Sequence, residues 1–331
     1  MTEEIASLRS ALEKRICDFI GHGREAFGEL LLEVHAFQRT NCPPYSAFCA
    51  SQPEVTDWRK VPAIPLSAFR HAAIRCFPEG EIVRTFHTSG TTGEGYGQHH
   101  FRTLDLYHAA ALAGWVGAGL PRENIFCLVP HPDDAPHSSL SQMAGWLAPR
   151  ENFFFGKWDE FLAAASKPVV LFGTALAFLD LFEHLGERRV TLPEGSLAVE
   201  TGGYKGSRRD MPKAGLYRLF EDKLGLAADR VFNEYGMTEL SSQFYTHGVG
   251  NPHHGAPWIR ALVIDPETNR EAAEGETGVL RIFDLANLDS CCAIQTRDLA
   301  IRRGDGFELL GRDPSVLPRG CSRSADELLS C

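Results

Sequence analysis

No apolar run in the 331 residues is long enough to span a membrane. The longest, AAALAGWVGAGL (109–120) and FLAAA (161–165), are broken by glycine or charge well before the ~18 residues a spanning helix needs. Nor is there an excess of positive charge. With 33 Lys+Arg against 43 Asp+Glu the formal net charge is −10, which argues against nucleic-acid partners and anionic membrane surfaces, since both require a summed positive field. The nine cysteines are odd in number and form no CxxC pair, and MTEEIASLRSALEKRICDFI has neither a basic flank nor the apolar core of a leader. A reduced, cytoplasmic protein is therefore expected. His131, His137, His253 and His254 lie in Pro- and Gly-rich loops with no spacing that supplies third and fourth ligands, so no zinc site is read.

What is present is an ordinary globular composition, 44% hydrophobic and 23% charged. Ile5, Leu8, Leu12, Ile16, Phe19 and Ile20 recur at three and four, predicting a helix closed by Gly21-His22-Gly23; a second runs from about Phe27 to Arg39. VPAIPLSAFR is punctuated by prolines that favour extended chain. A strand over 82–87 leads into TSGTTGEGYGQ, a helix follows over 104–120, and strands are predicted at IFCLVP (125–130), PVVLFG (168–173) and SLAVETGG (196–203) with helices between them. From about Pro257 short strands dominate, with Cys291 and Cys292 placed in one of them on opposite faces. The expected organisation is an α/β core over 1–256 and a β-rich subdomain over 257–331.

Chemistry-bearing residues collect at the strand ends. Thr88-Ser89-Gly90-Thr91-Thr92-Gly93-Glu94-Gly95 packs hydroxyls among glycines, so its N–H groups are free to converge on phosphate oxygens; alone, it reads equally as a surface turn. It lacks the GK[ST] ending of a Walker loop. Thr201-Gly202-Gly203-Tyr204-Lys205-Gly206 and Asn233-Glu234-Tyr235-Gly236-Met237-Thr238-Glu239 end two further strands, Gln295-Thr296-Arg297-Asp298 precedes one, and Gly311-Arg312-Asp313 follows one. Glycines, a ring, hydroxyls and carboxylates at several strand ends of an α/β sheet are what a nucleotide site requires.

Taken in order, these motifs resemble the adenylate-forming superfamily of acyl-CoA synthetases, adenylation domains and luciferases, and more closely its short acyl-protein synthetase branch, the LuxE type. TSGTTGEG is similar to the phosphate loop, YGMTE to the adenine and magnesium motif, QTRD to the ribose motif and GRD to the hinge motif; FQRTNCPPYSAF and VPAIPLSAF look specific to the short branch. The resemblance implies ATP and Mg²⁺ as cofactors. Ser89, Gly90, Thr91, Thr92 and Gly93, in the loop that Thr88 opens, would hold the β- and γ-phosphates. Gly202, Gly203 and Tyr235 would flank adenine within the loops that also carry Tyr204 and Gly236. Thr238 would lie near the α-phosphate, Glu239 on Mg²⁺ and Asp298 on the ribose hydroxyls. His137 either lines the acyl pocket or belongs to a helix-capping loop.

Full-length members add a mobile C-terminal domain with a catalytic lysine, which is expected to be absent: no Lys follows Lys223. Lys205, Arg297, Arg312 or a partner subunit is left to supply the charge. In the tail, Cys321 stands between Arg319 and Arg323, ahead of a capping box, Ser324 with Glu327; both features favour thiolate. The resemblance makes Cys321 the acyl-accepting residue, with an acyl reductase or carrier protein receiving the group next. Two alternatives remain, an acyl-CoA or acyl-carrier ligase of the phenylacetate-CoA ligase type and a non-catalytic carrier or scaffold of a reductase complex.

Overall fold

The computed structural model describes residues 2–23, 25–88, 96–202 and 211–312, with the backbone alone for Arg312. Two compact units divide it: residues up to Ala113, Met237–Gln243 and Gly255 onward form the first, and Gly114–Gly236 with Phe244–His254 the second. Among the described residues no helix is long and apolar enough to cross a membrane.

In the first unit α1 (Glu3–His22) buries Leu12, Ile16, Phe19 and Ile20, the face set by the three-and-four spacing, and ends at Gly23, whose N–H donates to the Phe19 carbonyl. α2 (Phe27–Asn41) buries Leu30, Leu31, Val34 and Phe37 and, among them, Gln38. Pro43 and Pro44 do more than end α2. They open α3 (Pro43–Cys49), because a proline in the first turn has no N–H to leave unsatisfied. VPAIPLSAF is extended only over β1 (Ile64–Pro65), before α4 (Ala68–His71). β2 (Arg84–His87) and β3 (Gln98–Phe101) then pair antiparallel, His87 opposite Gln98, on either side of the TSGTTGEG segment. α5 (Asp105–Gly117) follows, its last turn, from Gly114, belonging to the second unit.

The second unit repeats strand and helix: β4 (Ile125–Leu128), α6 (Ser139–Leu147), α7 (Trp158–Ala164), β5 (Val170–Thr174), α8 (Ala175–Leu185), β6 (Leu197–Thr201), α9 (Lys213–Leu224) and β7 (Val231–Tyr235). β4 to β7 are parallel neighbours in chain order, and β8 (Phe244–His247) adds antiparallel to β7, before the short β9 (His254–Gly255). Such strands read as continuous apolar runs because helices cover them. Here α8 and α9 supply the cover, with Phe178 and Phe182 meeting Phe220 at ring separations of 4.7 and 5.2 Å above Leu171 and Ala198.

The remaining strands return to the first unit: β10 (Ile259–Asp265), β11 (Arg270–Glu271), β12 (Thr277–Asp284), β13 (Ala293–Arg303) and β14 (Gly306–Arg312). β13 is central. β12 lies along one edge; the other is shared by β1, parallel at Ile294 and Gln295, and by β14, antiparallel from Asp298 to Arg303. Three local expectations are corrected. QTRD lies inside this eleven-residue strand rather than before it, since Gln295 pairs with Arg281 of β12 and Asp298 with Arg312 of β14, while the Gln295 and Thr296 side chains both donate to the Leu280 carbonyl. Gly311 and Arg312 end β14 rather than follow it; Gly311, at φ 105, sits where the register skips Leu310, a bulge that a side chain would resist. Cys291 and Cys292 precede β13, both fully buried, and the Cys292 N–H is taken by Gln38.

Candidate functional site

The YGMTE run straddles the division, with Tyr235 and Gly236 in the second unit and Met237, Thr238 and Glu239 in the first. In the first unit Thr238 is gripped by both strands of the β2–β3 hairpin. Its hydroxyl donates to the His87 carbonyl at 3.4 Å, and its own carbonyl accepts from His99 Nδ1 at 2.8 Å. The structure thus brings Thr238 to the base of the candidate phosphate loop, next to Thr88. Thr88 closes that loop on itself: its N–H donates to the Gly97 carbonyl and its hydroxyl accepts from the Gly97 N–H, each at 2.9 Å.

Glu239 is buried, and its carbonyl accepts from Asn287 Nδ2 at 2.8 Å. Asn287 Oδ1 in turn accepts from the Ser241 hydroxyl. Asp284 accepts from the Ser241 N–H, the Ser242 hydroxyl and the Ala286 N–H, at 2.7–3.0 Å; burial nonetheless pushes its carboxyl up to about 6. Two helices hold this 284–292 segment from behind. Gln38 donates to the Asn287 and Leu288 carbonyls, and Arg9 makes a bidentate pair with Asp289 at 2.7 and 2.6 Å. Asp298 is buried mid-strand on β13 opposite Arg312, its N–H donating to Thr296 Oγ1, while Arg297 is exposed.

In the second unit Gly202 follows β6 with φ 76, a conformation in which only glycine is unstrained, although among the described residues nothing lies within 4 Å of a Cβ built there. Tyr235 ends β7 buried, its ring against Phe244 and His253. His137 is exposed and stands one residue before the N-cap of α6; the capping hydroxyl is that of Ser138. Ser89, Gly90, Thr91, Thr92, Gly93, Gly203, Tyr204, Lys205, Asp313, Arg319, Cys321, Arg323, Ser324 and Glu327 lie outside the described residues, as does the Arg312 side chain.

Beneath Gly202 and Tyr235 lies a polar cluster that periodicity alone did not reveal. Glu200 and Glu234, on adjacent strands, are both buried. Glu200 is met by Lys213 Nζ at 3.4 Å and the Tyr217 hydroxyl at 3.3 Å, and Asn233 Oδ1 pairs with His253 Nε2 at 2.7 Å. Glu234 accepts from the Thr201 hydroxyl. Its burial, reinforced by the nearby Glu200 charge, pushes its carboxyl up to about 7. The signal was a glutamate in mid-strand in VFNEY, where an apolar residue belongs. A carboxyl whose folded value lies above its unfolded value stabilises below the unfolded value and loses that contribution as pH rises to the folded one. Relative to wild type, Glu234→Gln should therefore be near neutral at pH 4.5 and more stable by about 2–3 kcal/mol at pH 8. Chemical denaturation across that window checks this, and parallel curves for the two proteins would contradict it.

No family model matches the chain. Its fold matches solved adenylate-forming ligases. It superposes on 2-hydroxyisobutyryl-CoA ligase in complex with 2-HIB-AMP and CoA with a TM-score of 0.66 at 16% identity, covering 88% of this chain and 75% of that one. With ATP-bound MatB from Rhodopseudomonas palustris the score is 0.51 at 17% identity, over 73% and 50%. The fold is therefore that of the adenylate-forming ligases, an α/β architecture, as the motifs imply. A curated sequence relative narrows the likeness: the long-chain-fatty-acid–luciferin-component ligase of Aliivibrio fischeri is 25% identical over 173 residues. That match covers 48% of this chain and 46% of the relative, so less than half of the relative's length is matched.

Proposed function

We propose that the chain is an AMP-forming ligase. ATP and a carboxylic acid, a fatty acid by analogy with the named substrate of the Aliivibrio relative, give an acyl-adenylate and pyrophosphate. The observation that carries this reading is the double grip of the β2–β3 hairpin on Thr238, which holds its hydroxyl against His87 at the foot of the candidate phosphate loop, with Glu239 the next residue in the chain. In this reading Thr88 to Gly93 hold the terminal phosphates, Gly202, Gly203, Tyr204, Tyr235 and Gly236 form the adenine pocket, and Asp298 accepts from the ribose. The charge that builds at the α-phosphate calls for a cation, which we assign to Lys205, with Arg312 as the second candidate.

Magnesium binding usually takes one or two carboxylates, with substrate phosphates completing the shell. Among the described residues no three His, Cys, Asp or Glu side chains are grouped to hold a metal, and a single carboxylate, that of the buried Glu239, fits the magnesium pattern. Glu239 would hold Mg²⁺, which would neutralise phosphate charge.

The acyl group then passes to a thiol. We assign the acceptor to Cys321, between Arg319 and Arg323, whose thiolate attacks the acyl carbon as AMP leaves; an acyl reductase or carrier protein would take the group from there. A second acceptor, coenzyme A, is favoured by its presence in the 2-hydroxyisobutyryl-CoA ligase complex. ATP–pyrophosphate exchange across a panel of carboxylic acids tests the activation step. Acid-dependent exchange is expected, and its absence for every acid would leave a non-catalytic carrier as the better reading.

A further inference from the structure

We infer that His99 is a positioning residue: through one fixed tautomer it sets the Thr238–Glu239 turn against the phosphate-loop hairpin. The inference rests on the proposed ATP reading but concerns a residue that none of the nucleotide motifs contains. His99 is on β3, fully enclosed, and its two ring nitrogens have different partners. Nδ1 lies 2.8 Å from the Thr238 carbonyl and Nε2 lies 2.8 Å from the Ser290 hydroxyl. A carbonyl can only accept, so Nδ1 carries the hydrogen. Nε2 is then the acceptor and the serine donates.

The environment keeps this arrangement. Burial holds the ring's conjugate acid down at about 4, so the imidazole is neutral. Phe69 and Phe101 pack against it at ring separations of 5.4 and 4.2 Å. Ser290 is itself fixed: its neighbour Asp289 is held by Arg9, and its carbonyl accepts from the Cys76 thiol. The path from helix α1 through Asp289, Ser290 and His99 to Thr238 lies wholly within the first unit. With the His87 carbonyl taking the Thr238 hydroxyl, the turn is held at two points, one on each strand of the hairpin. Losing the imidazole donor removes one of these two holds.

Three variants and one spectrum test this. His99→Leu removes the donor and should raise the half-saturating concentration of Mg²⁺-ATP in pyrophosphate exchange by about ten- to a hundredfold, leaving that of the carboxylic acid unchanged. His99→Asn carries an amide nitrogen at the Nδ1 position and should restore Mg²⁺-ATP saturation to within about threefold. His99→Gln carries its amide at the Nε2 position, toward Ser290, and should not. This pair decides the matter even if the leucine variant folds poorly, because a role confined to packing predicts equal behaviour of the two amides. Equal rescue, or an unchanged Mg²⁺-ATP response in His99→Leu, overturns the inference. Long-range ¹H–¹⁵N correlation of the His99 ring should show the Nδ1-protonated tautomer, and the Nε2-protonated pattern overturns it without recourse to activity. Wild-type protein with no exchange for any acid would instead count against the ATP reading, while the spectrum still decides the tautomer.

Discussion

Replacing Glu239 by Gln is expected to lower ATP–pyrophosphate exchange by about 10²- to 10³-fold, the equivalent of roughly 3–4 kcal/mol of transition-state stabilisation, with little change in thermal stability. The substitution keeps the side chain's shape and removes only the charge proposed to hold Mg²⁺. The surrounding turn should survive, since Asn287 grips the Glu239 carbonyl and His99 the preceding one, both through the backbone. Loss of exchange with an unchanged melting profile identifies a functional carboxylate. Full exchange at ordinary Mg²⁺ concentrations would withdraw the metal assignment.

The second large effect concerns Cys321. Incubation with labelled acid, ATP and Mg²⁺ should leave label on the protein that hydroxylamine removes, as a thioester requires. Cys321→Ser should abolish that label entirely while leaving exchange intact, because the proposed adenylation precedes transfer and is assigned to other residues. The chemistry is reasonable on energetic grounds: a thioester keeps the carboxyl activated after AMP departs, so a later reduction or transfer needs no second ATP. A hydroxylamine-sensitive label that persists in Cys321→Ser would remove the tail from the mechanism. Acyl transfer dependent on added coenzyme A would then favour the acyl-CoA ligase reading.

Much of the frame is legible in the sequence where one local signal acts alone. The face of α1, the runs of β4 to β6 and the strand leading into TSGTTGEG all follow from spacing and from punctuation by glycine and proline. What escapes is set by distant segments. Gln38 looks like a polar interruption of a helical stripe, yet it is fully buried, donating to two carbonyls near Asn287 and accepting from the Cys292 N–H. FQRTNCPPYSAF and VPAIPLSAF are joined by the Tyr45 hydroxyl, which lies 3.0 Å from His35 and donates to the Pro62 carbonyl, and the Leu66 N–H then donates to Gln295. His99, one of two adjacent histidines in a strand, acquires its meaning from Thr238 and Ser290, 139 and 191 positions away. The motif residues could be found by pattern; the groups that hold them could not, because a buried hydrogen bond satisfies geometry rather than spacing.

The central claim is that a carboxylate oxygen attacks the α-phosphorus of ATP, and oxygen isotope tracing tests it most directly. With an acid labelled by ¹⁸O in both carboxyl oxygens, transfer of the acyl group from the adenylate to a thiol leaves one labelled oxygen on the AMP phosphate. Mass spectrometry should find AMP heavier by one ¹⁸O and pyrophosphate unlabelled. Label in inorganic phosphate with formation of ADP would contradict the account, because the attack would then have fallen on the γ-phosphorus.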